Sequence, residues 1–380
     1  MGEVAEFNPR SILPDSFEYV DLESVVGTSL ISQRTESKDT APSRAQRLAK
    51  RGDVFFQTVR PYQQNNYLFD LLSDNYVFST GYAQLRPNID SHFLLCLLQE
   101  KRFLAKVLDN CTGTSYPAIN STTLADIGIS VAVETDEQIV IGNFFRTLDT
   151  AITLHQRKLE GLRELKKGYL QQMFPQAGER VPKIRFAGFS NDWQERRLGE
   201  VADFSKGSGY SKSDLTDEGT PIILYGRLYT KYETIIENVT TFAHVKENSV
   251  ISRGGEVIVP SSGETSEDIS RASVVGKQGI IIGGDLNIVK ANSAIYPAFL
   301  AITISNGKQQ KELSKRAQGK SVVHISISDL KEAILQLPTF PEQIAISNFI
   351  CMMDNHVTAL SDKIERLKEL KTAYLQKMFV

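Results

Sequence analysis

Pro14-Asp15 followed by Glu36-Ser37-Lys38 has the loose Pro-Asp…Glu-x-Lys spacing in which carboxylates hold a divalent ion and a lysine orients the attacking water. That chemistry needs neighbouring strands, and these residues fall in a Ser/Thr-rich stretch that reads as loop, so coincidence is the better reading. Gly319-Lys320-Ser321 resembles the end of a phosphate-cradling loop, but Ser314 stands where the leading glycine belongs. A turn into a strand fits it better. Lys206-Gly207-Ser208-Gly209-Tyr210 holds only a Gly-x-Gly fragment, and no Asn/Asp-Pro-Pro-aromatic methylase motif occurs. His92, His155, His244, His324 and His356 never approach metal-ligand spacing. No catalytic residue, metal or cofactor is expected in this chain.

Recognition of a polyanion is the chemistry the remaining residues suit. Between Ser32 and Arg51 the cations Arg34, Lys38, Arg44, Arg47, Lys50 and Arg51 outnumber Glu36 and Asp39, an excess able to neutralise phosphates. Gln46, Gln57 and Arg60 add amide and guanidinium groups beside it. Later, Lys206, Ser208, Tyr210, Lys212, Tyr225, Arg227, Tyr229 and Lys231 interleave basic and aromatic groups. Ser261, Ser262, Glu264 and Thr265 follow the apolar run Val257-Ile258-Val259. Arginine, glutamine, serine and glutamate are groups that read base edges in the major groove. Solvated surface is the alternative for each of them, because real interfaces concentrate their energy in a minority of residues.

The elements that must position these groups are announced by a repeat. Glu137-Gln138-Ile139-Val140-Ile141-Gly142-Asn143-Phe144 returns as Glu342-Gln343-Ile344-Ala345-Ile346-Ser347-Asn348-Phe349. Glu164-Leu165-Lys166…Tyr169-Leu170-Gln171-Gln172-Met173-Phe174 returns as Glu369-Leu370-Lys371…Tyr374-Leu375-Gln376-Lys377-Met378-Phe379. The shift from 137 to 342 and from 174 to 379 is 205 positions in both cases, the size of a domain plus its connector. Each copy reads as a long helix with one apolar stripe. Phe145, Leu148, Ile152, Leu159, Leu162 and Tyr169 lie on the first, and Ile350, Met353, Val357, Ile364, Leu367 and Tyr374 on the second. Lys166 and Lys371 interrupt both stripes at the same heptad position, where a buried ammonium penalises slipped registers. Thr135 with Gln138, and Thr339 with Glu342, are spaced as capping boxes.

With 380 residues, 41% hydrophobic and 23% charged, the chain carries enough apolar mass for two ordinary domains and a connector. A formal charge of −2 confines any nucleic-acid contact to local patches. Three scattered cysteines, no long apolar run and no signal-like N-terminus suit a cytoplasmic protein that meets no membrane. The divisions expected are a first body at 1–134, a helix at 135–175, a linker at 176–182, a second body at 183–338 and a second helix at 339–380. The bodies echo one another. Trp193-Gln194-Glu195-Arg196-Arg197-Leu198-Gly199-Glu200-Val201 follows the pattern of Phe17–Val25, and Gly255-Glu256-Val257-Ile258-Val259 that of Gly52-Asp53-Val54-Phe55-Phe56. Gly319-Lys320-Ser321 falls where Gly113-Thr114-Ser115 stood. Loops between these anchors share almost nothing, as expected of two readers of different targets on one scaffold.

The duplicated Leu-Lys…Tyr-Leu-Gln…Met-Phe signature at 165–174 and 370–379 resembles the specificity subunit of type I restriction-modification systems, and the resemblance covers the whole chain. It implies an α+β fold. Two α/β target-recognition domains would be separated by two long antiparallel helices forming a coiled coil, the halves related by a pseudo-two-fold repeat. It further implies a subunit without catalysis of its own that reads a bipartite site on double-stranded DNA and recruits two modification subunits, with two restriction subunits joining them. S-adenosylmethionine, ATP and Mg would belong to those partners. Two other classes stay open at this stage: a rigid coiled-coil scaffold for two proteins, and a self-contained nuclease.

Overall fold

The computed structural model of the chain describes residues 1–379 apart from 114, 177 and 318–322. The Gly319-Lys320-Ser321 run and Thr114 of its counterpart lie outside the described residues. Two compact units emerge, Met1–Arg157 with Asp362–Val380, and Lys158–Ser361. This differs from the linear division expected, because each unit takes one stretch of both long helices.

In the first unit, one sheet runs in the order Ala5–Phe7, Tyr82–Pro87, Val54–Gln57, Tyr67–Leu68, all antiparallel. The second runs Arg34–Ser37, Ser16–Val20, Tyr76–Ser79, Ala45–Leu48, with the middle pair parallel. Alternation along Val54–Gln57 explains how the layers join, since successive side chains point to opposite faces. Val54 and Phe56 pack with the helices Ser91–Leu98 and Lys101–Asp109. Phe55 turns the other way, stacking on Phe78 with ring centroids 3.7 Å apart and meeting Tyr82 edge-on. Both faces are buried, so the strand reads as an unbroken apolar run.

The second unit repeats this plan. Ala202–Lys206, Leu286–Ala291, Val257–Pro260 and Ser273–Val275 take the places of the first sheet's strands, extended by Ile235–Ile236. Phe242–Ala243, Thr220–Ile223, Gln278–Ile282 and Ile251–Arg253 take those of the second, extended by Leu215–Thr216, and here too the middle pair is parallel. Val257 and Val259 face the helical core while Ile258 faces the other layer. The acid after each glycine also recurs in role. Asp53 accepts from the Lys50 amide at 2.8 Å and Glu256 from the Arg253 amide at 2.7 Å, each closing the turn into its strand.

Three expectations need correction. Phe17 and Trp193 are not counterparts: Phe17 lies on a strand between Arg34–Ser37 and Tyr76–Ser79, whereas the strand after Trp193, Gln194–Arg197, pairs with Ile334–Leu337. The true counterpart of Ala202–Lys206 is Ala5–Phe7, as Phe204 faces Val289 in the way Phe7 faces Leu85. Second, the polar stretch from Ser32 to Arg51 is not one loop but contains two edge strands, Arg34–Ser37 and Ala45–Leu48. An edge strand tolerates polar residues because only one side of it is paired, which hid it from a hydrophobicity reading. Third, Gln138 does not reach back to cap its helix. It accepts from the Asp90 amide and donates to the Ala132 carbonyl, and Gln343 likewise accepts from the Tyr296 amide and donates to Ala294 and Pro338. Glu342 is fully buried in a two-pronged pair with Arg185. These polar groups latch each helix start to its own unit.

The long helices are Thr135–Gln172 and Phe340–Met378. Of the expected stripe, Phe145, Ile152, Leu159, Ile350, Met353 and Ile364 are buried, and Leu148, Leu162, Tyr169, Val357 and Leu367 half-buried. Tyr374 is the exception, exposed with its ring edge-on to Phe144. Leu375 and Phe379 take the inward places instead, packing among Phe93 and Phe145. A strict seven-residue repeat drifts against the 3.6-residue turn, and at the helix end the natural period prevails. Gly142 has its own reason: a Cβ there would lie 2.5 Å from Asp90 Oδ1, where the helix crosses the start of Ser91–Leu98.

Candidate nucleic-acid interface

A short turn between the two sheets gathers the candidate loops in each unit. In the first it is Thr80-Gly81, which links Tyr76–Ser79 to Tyr82–Pro87. The Thr80 amide donates to the Arg44 carbonyl at 2.8 Å, and the Gly81 carbonyl accepts from both the amide and the hydroxyl of Thr58, at 2.9 and 2.7 Å. The basic segment around Arg44 and the segment entering Arg60 are thereby fixed beside one another. In the second unit the turn is Gly283-Gly284-Asp285. Ser208 bridges to Gly283, the Gly283 amide donates to Ile223, and the Ser261 amide donates to Asp285 at 2.8 Å. Loops starting at Lys206, Leu224 and Ser261 therefore converge. The Gly-x-Gly fragment is explained by this packing, since a Cβ on Gly207 would lie 1.9 Å from the Gly283 carbonyl oxygen.

Within the first cluster the side chains divide. Lys38 and Arg44 are exposed, with no side-chain partner among the described residues. Gln46 is exposed but donates to the Ser43 carbonyl at 2.7 Å. Arg47 is half-buried with its Nε unpartnered, and burial lowers its guanidinium's pKa. Arg34 is spoken for, paired with Asp21 at 2.9 Å and Glu36 at 2.7 Å over the Tyr19 ring. Gln57 must be withdrawn as a reader of DNA: it is 1% exposed, donating to Gln63 and accepting from the Asn65 amide. Its role is to hold the loop that carries Arg60, whose guanidinium sits 4.5 Å from the Tyr116 ring centroid.

The second cluster divides similarly. Lys206, Lys212 and Glu264 are exposed, and Ser261 and Ser262 half-buried. Lys231 is exposed, 3.8 Å from Glu233. Tyr225 and Tyr229 stand edge-on with centroids 5.8 Å apart, and burial raises the Tyr229 phenol's pKa. Ser208 Oγ accepts from the Val250 amide, and Thr265 caps the short helix Ser266–Ile269. Two further candidates are corrected. Tyr210 is buried, its hydroxyl donating to the His244 carbonyl and accepting from the Lys246 amide. Arg227 is committed to Glu233 at 2.5 Å and the Asn238 carbonyl at 2.8 Å. Tyr210 finds its partners more than thirty residues on, whereas Arg227 turns back on a carboxylate six residues on and a carbonyl eleven residues on, and neither pairing is disclosed by spacing in sequence.

Glu36 and Lys38 lie on or beside a strand after all, with the Lys38 amide donating to Asp15. A strand setting, which a hydrolytic site needs, is therefore present at Glu36. Glu36 is nonetheless engaged by Arg34, and no three His, Cys, Asp or Glu side chains converge among the described residues. Sequence reading missed Tyr62 and Tyr116, exposed at 49% and 63% beside Arg60. The signal available was the run Arg60-Pro61-Tyr62-Gln63-Gln64-Asn65-Asn66, dense in base-reading types. Among the described residues no helix is long and apolar enough to cross a membrane.

The family described as type I restriction modification DNA specificity domain matches residues 27–164 and 190–371. Among curated relatives, the type I restriction enzyme MjaVIII specificity subunit of Methanocaldococcus jannaschii is 20% identical over 302 residues, 74% of this chain and 68% of the relative. The HindI specificity subunit of Haemophilus influenzae is 21% identical over 162 residues, 41% of this chain and 35% of the relative. In fold, the chain is similar to the type I restriction-modification system S subunit from M. genitalium, with a TM-score of 0.66 at 15% identity over 100% of this chain and 94% of that one. A chain from a study of type I system assembly and conformational transition gives a TM-score of 0.54 at 23% identity, covering 100% of this chain and 96% of that one.

Proposed function

The chain belongs to the family of type I restriction modification DNA specificity domains, and from that premise we propose that it is the non-catalytic, sequence-reading subunit of a type I restriction-modification complex. The observation that carries the reading is the duplication of one sheet pair whose loops diverge in sequence but meet at the same inter-sheet turn in both units. A constant frame with variable loops suits two readers of unlike half-sites. Residues 1–134 and 183–338 are the target-recognition domains, joined by the linker 176–182, and the helices at 135–175 and 339–380 form an antiparallel coiled coil.

Paired contacts support that coil. Lys371 Nζ donates to Asp149 at 2.6 Å in one unit, and Lys166 donates to Asp354 in the other. Phe144 meets Tyr374 with centroids 5.0 Å apart, and Phe349 meets Tyr169 at 4.9 Å. The members of each set are exchanged by the same 205-position shift that relates the helices in sequence, so the helix pairing repeats in each unit. The helices set the unread gap between half-sites and dock two modification subunits, with two restriction subunits completing the assembly. Those partners carry S-adenosylmethionine, ATP and Mg chemistry.

Exchange of residues 183–338 for another recognition domain tests the reading. Sequencing of methylated bases in cells carrying the complex is expected to show one half of the motif changed and the other kept. Change in both halves, or in neither, overturns it.

A further inference from the structure

Resting on that recognition role, we propose that Arg60 is a specificity-determining residue that reads a guanine in the first half-site, its guanidinium placed over the Tyr116 ring. The backbone is the first observation. Among the described residues only Asn8, Arg60 and Gln64 adopt positive φ without being glycine, and two of these bracket a single loop, at φ 56° and 53°. Asparagine is a customary occupant of that region, whereas arginine and glutamine carry a steric penalty there that glycine would not. An arginine at such a position points to a use for its side chain.

The surrounding structure holds the strain in place. Buried Asn66 accepts from the Gln57 amide at 2.9 Å, Gln57 donates to Gln63 at 2.7 Å, and Gln64 and Gln99 donate to one another's carbonyls at 3.1 and 3.2 Å. The second observation is the state of the guanidinium. Arg34, Arg51 and Arg86 of the same unit are each paired with a carboxylate. Arg60 has only the Tyr116 ring, which is itself 63% exposed, as its side-chain partner among the described residues. A cation–π contact restrains the guanidinium without engaging its N–H donors, which stay free for another partner. A fixed fork of donors at the surface matches the O6 and N7 acceptors of guanine in the major groove. The counterpart segment of the second unit, paired through Ser262 to His324 as Val59 is to Ala118, presents exposed Glu264 instead. The two loops thus offer opposite hydrogen-bonding characters.

The test selects duplexes from a pool randomised over both half-sites, using the full-length chain co-produced with its modification subunits. The wild-type protein is expected to enrich a motif with an invariant guanine in the first half. Arg60→Ala and Arg60→Gly should lose preference for that guanine by about ten- to a hundredfold and leave the second half unaltered, with Tyr116→Ala losing part of it. Arg60→Gly should melt at or above the wild-type temperature, since it relieves the strained backbone, so its loss cannot come from misfolding. An unchanged motif in both Arg60 variants overturns the inference, as does weakening that is uniform across all sequences, the mark of a phosphate contact. Failure of the wild-type protein to enrich any sequence would overturn the recognition role beneath it.

Discussion

Arg44 and Arg47 are three residues apart on one edge strand and its approach, yet burial gives them different work. Arg44 stands in solvent, whereas Arg47 is half-buried with a lowered pKa. Arg44→Ala is therefore expected to flatten the plot of log affinity against log salt by about 0.9, one phosphate contact, while Arg47→Ala is expected to alter folding stability more than the salt slope. Equilibrium binding at several salt concentrations, set beside denaturant melts, checks both. Asp214 offers a pH test in the second unit. Lys246, 2.7 Å away, and then Ser211 hold its carboxyl down at about 2, below the ordinary 3.8. A folded-state pKa below the unfolded one contributes stability that is present above pH 3.8 and lost as pH falls toward 2. Carboxyl titration by NMR should find the midpoint near 2, and Lys246→Met should raise it.

On the scale of the helices, the Lys–Asp pairs turn an apparent fault in the stripe into a register device. Lys166 and Lys371 sit at the same heptad position, and each finds an aspartate that is the other aspartate's mate under the 205-position shift. The side chains of all four are one-fifth to one-third exposed, so screening by solvent moderates the attraction. Lys371→Asp places like charges opposite one another and should cost stability, and adding Asp149→Lys should restore most of it. A double-mutant cycle by chemical denaturation is expected to show a coupling of roughly 0.5–3 kcal/mol. A coupling near zero would mean that the apolar stripe alone sets the register.

For the whole molecule, the two helices are proposed to be the ruler between half-sites. Both helices pass from one compact unit to the other, after Arg157 and after Ser361, within one residue of corresponding places under the 205-position shift. A seven-residue insertion at both places keeps the stripe in phase and adds about 10.5 Å of helix. That rise corresponds to about three base pairs at 3.4 Å each, less whatever the accompanying rotation of the duplex takes back. The variant is expected to methylate the same half-sites across a gap lengthened by about one to three base pairs, read by sequencing methylated DNA. Retention of the original gap at full activity would show that the helices do not set it.

The duplication, the two long helices, their shared stripe and the apolar strand at the centre of each unit are legible in the residues alone, because these rest on period and local composition. Lys38, Arg44 and Arg60 are legible there too, and the fold leaves Lys38 and Arg44 exposed and Arg60 over the Tyr116 ring. That Ala5–Phe7 rather than Phe17–Val25 answers the second unit emerges only on folding, since strand order depends on pairing between segments far apart in the chain. Nor was it legible that Gln57, Tyr210 and Arg227 are consumed inside the protein, for Tyr210 bonds a backbone group 34 residues on, and Gln57 and Arg227 meet side chains six residues on only because the chain bends back between them. The strain at Arg60 belongs to the same class. Nothing in the run Arg60-Pro61-Tyr62 announces a positive φ; it arises because buried Asn66 and Gln57 fix the loop from behind.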